Sequence, residues 1–127
     1  MEPGIKSTKE CVVTDELTAK AFGSGELAVF ATPAVIALAE ETAWNSVAGE
    51  LDPGQGTVGT RIELSHIAAT PVGMKVRCET ELTAVDRRKL TFAIAVYDEK
   101  EKIAEGIHER FIVDNKAFQE KADGKYQ

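Results

Sequence analysis

The chain has 127 residues, 43% of them hydrophobic, which suffices for one compact core and is too little for two. A formal charge of -6 and a pI near 5.0 leave no basic footprint for nucleic acid, since phosphate binding leans on clustered Lys and Arg. No apolar run approaches the roughly 20 residues of a membrane helix, and the opening MEPGIKSTKE has no signal-peptide hydrophobic region, so a soluble, cytoplasmic protein without a membrane partner is expected.

Residues 9–14, KECVVT, read as a short strand. Cys11 within it and Cys78 stand apart from any CxxC pair, so two free thiols and no metal site are expected. DELTAKAFGSGELAVFA mixes helix formers with GSG and admits a short helix, a flexible connection, or both. The clearest element is TPAVIALAEETAWNSVAGE. Thr32 suits an N-cap, Pro33 the first turn and Gly49 the position just past the end, which predicts a helix over 33–48. Its small residues Ala34, Ala37, Ala39 and Ala43 make a narrow body that a sheet can wrap closely.

After the turn LDPGQG, the segment TVGTRIELSH alternates: Val58, Thr60, Ile62, Leu64 and His66 share the inward face, while Gly59, Arg61, Glu63 and Ser65 point away. MKVRCETELTAV sets Met74, Val76, Cys78, Thr80 and Leu82 inward, and KLTFAIAVYD does the same with Leu90, Phe92, Ile94 and Val96, the two joined tightly through DRR. In KIAEGIHERFIVD the apolar set is Ile103, Ile107, Phe111 and Val113, and the tail from about 115 is polar and expected to fray. Strands joined by turns of a few residues pair antiparallel. One helix packed on one face of a curled antiparallel sheet, an α+β fold in a single domain over 1–127, is the economical architecture.

Three polar residues sit where this pattern favours apolar ones or a helix end: Thr32, Glu40 and His66. Each has an ordinary alternative. Thr32 could serve only as an N-cap, one member of the Glu40–Glu41 pair belongs on a solvated helix face, and an isolated strand histidine is often a hydrogen-bonded core residue. Together, however, a hydroxyl, a carboxylate and an imidazole beside a glycine-containing strand are the parts that acyl transfer uses. Gly59 leaves room for a thioester carbonyl to approach main chain. Thr32 and Glu40 on one straight helix lie about 12 Å apart, so either Thr32 precedes the helix and folds back or a second protomer completes the site.

At these residues the chain resembles the hotdog-fold thioesterases, in the branch typified by fluoroacetyl-CoA thioesterase. The matching pieces are VFAT (29–32), Glu40 eight residues later, LDPGQGTVGT (51–60), SHIAATPVGMKV (65–76) and GIHERF (106–111), which together span roughly 29–114. The resemblance implies a long helix wrapped by a curled sheet, with Thr32, Glu40 and His66 as the catalytic set. It assigns Gly59 and Arg110 to substrate binding. It also implies a homodimer with active sites at the interface, CoA as part of the substrate rather than a retained cofactor, and no metal. The segment FGSGELAV before Thr32 departs from the family in lacking an aromatic-rich lid associated with fluoroacetate discrimination.

The function expected is hydrolysis of a short-chain acyl-CoA, fluoroacetyl-CoA-like substrates included. Glu40 would act as nucleophile or general base, Thr32 would position it or a water, and His66 would assist proton transfer. A non-catalytic acyl-CoA binding module is the alternative, because fold does not fix function. A hydratase of this fold would need an Asp five residues before a His, a spacing absent here, and a purely structural dimer leaves the polar set without a role. Lys75, Arg77, Arg87, Arg88 and Lys89 are candidates for the CoA phosphates, with a solvated turn as the plainer account of DRRK. His108, flanked by Glu109 and Arg110, reads as a locally paired strand residue rather than a catalytic one, and Trp44 and Phe92 as core or dimer contacts.

Overall fold

The structure is a computed structural model that describes residues 1–126. Five strands form one antiparallel sheet: β1 (Lys6–Val12), β2 (Gln55–His66), β3 (Lys75–Asp86), β4 (Lys89–Tyr97) and β5 (Lys102–Asp114), in the order β1-β3-β4-β5-β2. A single turn of helix, α1 (Ala19–Phe22), precedes the central α2 (Thr32–Val47), and α3 (Asn115–Asp123) follows β5. The tail is thus helical, started by the Asp114 side chain, whose Oδ1 accepts from Ala117 N at 2.9 Å.

α2 lies against the sheet through Ala34, Val35, Leu38, Ala39, Ala43 and Val47, all buried. Val76, Cys78, Leu82, Leu90, Phe92, Ile94 and Val96 of β3 and β4 meet it from the opposite side, as their alternation predicts. Burial at about 25 cal/mol per Å2 of apolar surface makes this helix–sheet contact the main stabilising term. Phe92 is core, whereas Trp44 is 45% exposed on the outer face of α2 and is not. The DRR connection is a two-residue hairpin in which Arg87 takes φ 59°.

Two expected strand faces are overturned. In β2 the pairing with β5 slips between Gly59 and Arg61. A β-bulge adds one residue and exchanges faces, so Gly59 looks toward the helix along with Ile62, Leu64 and His66, and Thr60 is exposed. In β5 the residues facing α2 include Ala104, His108 and Arg110, all buried, while Phe111 is 41% exposed. The apolar set Ile107, Phe111 and Val113 therefore lies on the other face, and only Ile103 of the expected four is fully buried. A polar inner face is tolerated because His108 and Arg110 satisfy each other and their neighbours, as described below.

Gly106 marks the tightest strand contact, since a Cβ there would overlap the carbonyl oxygen of Glu63. Gly106→Ala is expected to destabilise the fold by about 3 kcal/mol, read as a lower urea midpoint with an unchanged m-value.

Candidate active site

Two polar clusters form along the incompletely buried face of α2. The first is at its N-terminus, where Thr32 Oγ1 lies 2.8 Å from His66 Nδ1. Ala31 occupies the N-cap position and no side chain caps the helix. The Thr32 hydroxyl is therefore inside the first turn and committed to the imidazole, not to capping, which corrects the expected N-cap role.

Backbone pairing sets both partners in place. His66 ends β2 opposite Ala104, and the amides of Ile67 and Ala68 both donate to Ile103 O. Thr32 follows a segment pinned by the bridges Thr18–Phe30 and Val29–Pro71, with Phe30 and Ala31 fully buried. His66 Nε2 is buried without a hydrogen-bond partner among the described residues. Burial pushes the imidazole pKa below its ordinary 6.5, partly opposed by the Ala68 backbone. A cleft of about 340 Å3 opens here, bordered by Ser24, Val29, Thr32, His66, Ala68 and Ala69. A neutral imidazole beside a hydroxyl is the arrangement that activates an oxygen nucleophile.

The second cluster lies two turns further along. Glu40 Oε2 accepts from Arg110 Nη1 at 3.4 Å. Arg110 is 6% exposed, and its other donors are directed as well: Nε to Thr57 Oγ1 at 2.8 Å and Nη2 to Thr57 O at 3.0 Å. Burial pulls the Arg110 pKa down and Glu40 opposes that pull. The guanidinium remains charged, because arginine does not deprotonate in proteins. Gly59, opposite Arg110 in the ladder, leaves room for the carboxylate: a Cβ there would stand 2.6 Å from Glu40 Oε2 and push that side chain aside. The space expected to admit a substrate carbonyl is thus shared with the Glu40 carboxylate. A cleft of about 270 Å3 is lined by Glu40, Gly59, Thr60, Arg61, Ile62 and His108.

Within one chain the structure brings Thr32 to His66 and Glu40 to Gly59 and Arg110. It does not join the two groups, because eight residues of helix set Thr32 and Glu40 about 12 Å apart. The neighbouring Glu41 pairs instead with Lys9 at 2.6 Å. Thr57 and His108 belong to the second cluster and were not assigned to it from sequence. The i, i+2 spacing of His108 and Arg110 carried the signal, since residues two apart on a strand share a face.

A larger cleft of about 380 Å3 across β1, β3 and β4 is bordered by Lys6, Thr8, Glu79 and Glu81 and holds no imidazole, so volume alone does not locate the chemistry. Among the phosphate candidates, Lys75, Arg77 and Lys89 pair with Glu10, Glu79 and Glu109, and Arg77 also stacks 4.7 Å from the Tyr97 ring centre. No group of three or more His, Cys, Asp or Glu side chains that could hold a metal ion occurs among the described residues. Both cysteines are free, and burial pushes the Cys78 thiol up to about 11. None of the helices of the described residues is long and apolar enough to cross a membrane.

Comparison with known proteins adds four findings. The family model described as fluoroacetyl-CoA-specific thioesterase matches residues 13–116. The fluoroacetyl-CoA thioesterase of Streptantibioticus cattleyicolor is 36% identical over 97 residues, which cover 76% of this chain and 70% of that protein. Among solved structures, a threonine-to-serine mutant of the fluoroacetyl-CoA thioesterase FlK in complex with acetyl-CoA is 30% identical with a TM-score of 0.94, and all of both chains is covered. A hot-dog-like protein from Thermanaerovibrio acidaminovorans, 17% identical, has a TM-score of 0.91 over 100% of this chain and 94% of that one, and shares the fold.

His66 and His108 both have imidazole pKa values below the ordinary 6.5, in each case chiefly through burial. In that window the unfolded chain binds the extra protons, so the stability these groups contribute is present above 6.5 and lost as pH falls through their folded values. Urea unfolding at pH 7.5 and 5.5 is expected to show lower stability at the acid pH, and replacing both histidines by Gln should flatten this difference.

Proposed function

The chain belongs to the fluoroacetyl-CoA-specific thioesterase family, and on that premise we propose that it hydrolyses a short-chain acyl-CoA to the free acid and CoA. The observation that carries the mechanism is the 2.8 Å contact between Thr32 Oγ1 and His66 Nδ1. With the ring proton on Nε2, Nδ1 accepts the Thr32 proton as the hydroxyl oxygen attacks the thioester carbonyl. The C–S bond then breaks, and the imidazolium returns its proton to the departing CoA sulfur. Water, deprotonated by the same imidazole, cleaves the acyl-threonine ester and restores Thr32. The sequence had offered Glu40 or a water as the attacking group. Glu40 is engaged with Arg110 and suits a supporting place, orienting water and substrate, with the Gly59 main chain and Arg110 on the carbonyl side.

This reading needs both clusters at one thioester, and a homodimer supplies them. β2 is an edge strand of 12 residues paired on one side only, by β5, the kind of edge that pairs with another chain. Antiparallel pairing of β2 with its copy about a two-fold axis lays the His66 end of one strand beside the Gln55 end of the other. The Thr32–His66 pair of one copy then approaches the Glu40–Arg110 group of the other. The lining of the first cleft joins Ser24, Ala68 and Ala69, whose small size favours a short acyl group, to Val29, Phe30 and Ile67. Of the two phenylalanines flanking the preceding segment, Phe30 thus borders the cleft as a buried core side chain, while Phe22 is 46% exposed and does not line it.

Thiol release from acetyl-, fluoroacetyl-, butyryl- and benzoyl-CoA tests the activity, with the short acyl groups turned over fastest and no release from any of them refuting it. Thr32→Ala and His66→Ala should each lower kcat by at least about 100-fold, the usual contribution of a positioned acid–base pair. Mixing Thr32→Ala with Glu40→Ala, each weakly active alone, should restore up to about one quarter of wild-type activity after subunit exchange, because one of the two sites in each mixed dimer is then intact. Sites contained in single chains would give no recovery.

A further inference from the structure

We infer that His108 is a positioning residue of the reaction: as a neutral imidazole protonated on Nδ1, it fixes the Arg110 guanidinium, and through it Glu40, in working orientation. The inference rests on Arg110 and Glu40 belonging to the site proposed above, but its geometry stands without that site. His108 is 1% exposed on the inner face of β5, with the Phe92 ring centre 6.2 Å away.

The tautomer follows from its two partners. Nδ1 lies 2.8 Å from the backbone oxygen of Arg61, which can only accept, so Nδ1 carries a proton. Nε2 lies 3.2 Å from Arg110 Nη1, which can only donate, so Nε2 presents its lone pair. A doubly protonated ring would set an N–H against an N–H and a cation against a cation. The acceptor at Nε2 therefore exists only while His108 is neutral, and burial, aided by the Arg110 charge, keeps it neutral below the ordinary imidazole range.

The same geometry accounts for how Arg110 is aimed. A guanidinium is a rigid plane, and its Nε and Nη2 ends are held by Thr57. His108 holds the remaining nitrogen, Nη1, which is also the one that reaches Glu40. Without that acceptor Nη1 keeps only the 3.4 Å contact to a carboxylate that is 44% exposed and able to swing into solvent. The charged groups facing His108 are Arg110 and Glu109 from β5 and Glu40 from α2, with Glu109 itself paired to Lys89 of β4. From β2 it meets the Arg61 backbone, while the Arg61 side chain pairs with Glu63. Protonating His108 at low pH thus releases Arg110, a second acid-side loss in addition to protonation of His66.

Two substitutions separate the ring's two bonds. Asn places an amide near Nδ1 and can keep the bond to Arg61 O, but has nothing at Nε2. Gln reaches the Nε2 position with an oxygen acceptor and keeps the bond to Arg110. His108→Asn is expected to lower kcat about tenfold or more and His108→Gln by less than about threefold, a difference set by one buried hydrogen bond to a charged group. The acid limb of log kcat/KM should steepen toward two protons in the wild type and toward one in His108→Gln. Equal damage from Asn and Gln, or an acid limb identical in wild type and His108→Gln, overturns the positioning role.

An arm independent of turnover keeps this distinct from failure of the hydrolysis reading. Nitrogen-15 NMR of the full chain at pH 7.5 should find His108 with Nδ1 protonated and Nε2 bare, and an Arg110 side-chain N–H protected from solvent exchange that loses protection in His108→Asn but not in His108→Gln. The opposite tautomer, or protection unchanged in His108→Asn, overturns the inference whether or not any acyl-CoA is cleaved. If no acyl-CoA is cleaved and the NMR results are as expected, the hydrolysis reading falls and the orientation of Arg110 by His108 stands.

Discussion

A guanidinium on the inner face of an antiparallel sheet is the constraint around which the second half of the molecule is arranged. Removing its charge from water costs several kcal/mol unless acceptors replace the water, and Arg110 is only 6% exposed. Its acceptors come from three elements: Thr57 of β2, His108 of β5 and Glu40 of α2. The glycine at 59 leaves the carboxylate its place, since a side chain there would push Glu40 away from Arg110. The bulge after Gly59 lets the same strand present glycine inward at one end and Ile62, Leu64 and His66 inward at the other. Removing Arg110 would leave His108 Nε2 without its donor and Glu40 without its counter-ion.

The first cluster is held by different means. No buried charge is involved, and the Thr32–His66 contact depends on where the backbone places two short side chains. The approach to Thr32 is bonded to both flanking segments, and β2 is paired with β5 up to His66. A hydroxyl–imidazole pair set on a helix terminus and a strand end is held more rigidly than one set on loops. The helix that carries Thr32 also carries Glu40, so α2 works as a spacer between a hydroxyl–imidazole pair and a carboxylate–guanidinium pair.

The sequence by itself determined the element order, the long helix and the inward faces of β3 and β4, because hydrophobic alternation there is uninterrupted and the helix is punctuated by proline and glycine. It also singled out Thr32, Glu40, His66 and Gly59 as candidates, since each breaks or adjoins a periodic pattern, whereas Arg110 entered only through the family resemblance. What only the tertiary structure decided was which of them meet. Periodicity is a local signal, and one extra residue in a strand reverses every face beyond it. So the bulge at Gly59–Arg61 and the polar inner face of β5 were illegible in the alternation, and the apolar residues Ile107, Phe111 and Val113 drew the reading to the wrong face. His108, flanked by Glu109 and Arg110, read as a locally paired strand residue, and it does pair with Arg110, but inside the sheet. Its role depends on an acceptor 47 positions away in Arg61 and on a guanidinium whose burial no local pattern announces. Pairing of a hydroxyl with an imidazole across 34 positions, and of a carboxylate with a guanidinium across 70, is settled by how the strands register and where the helix lies on them.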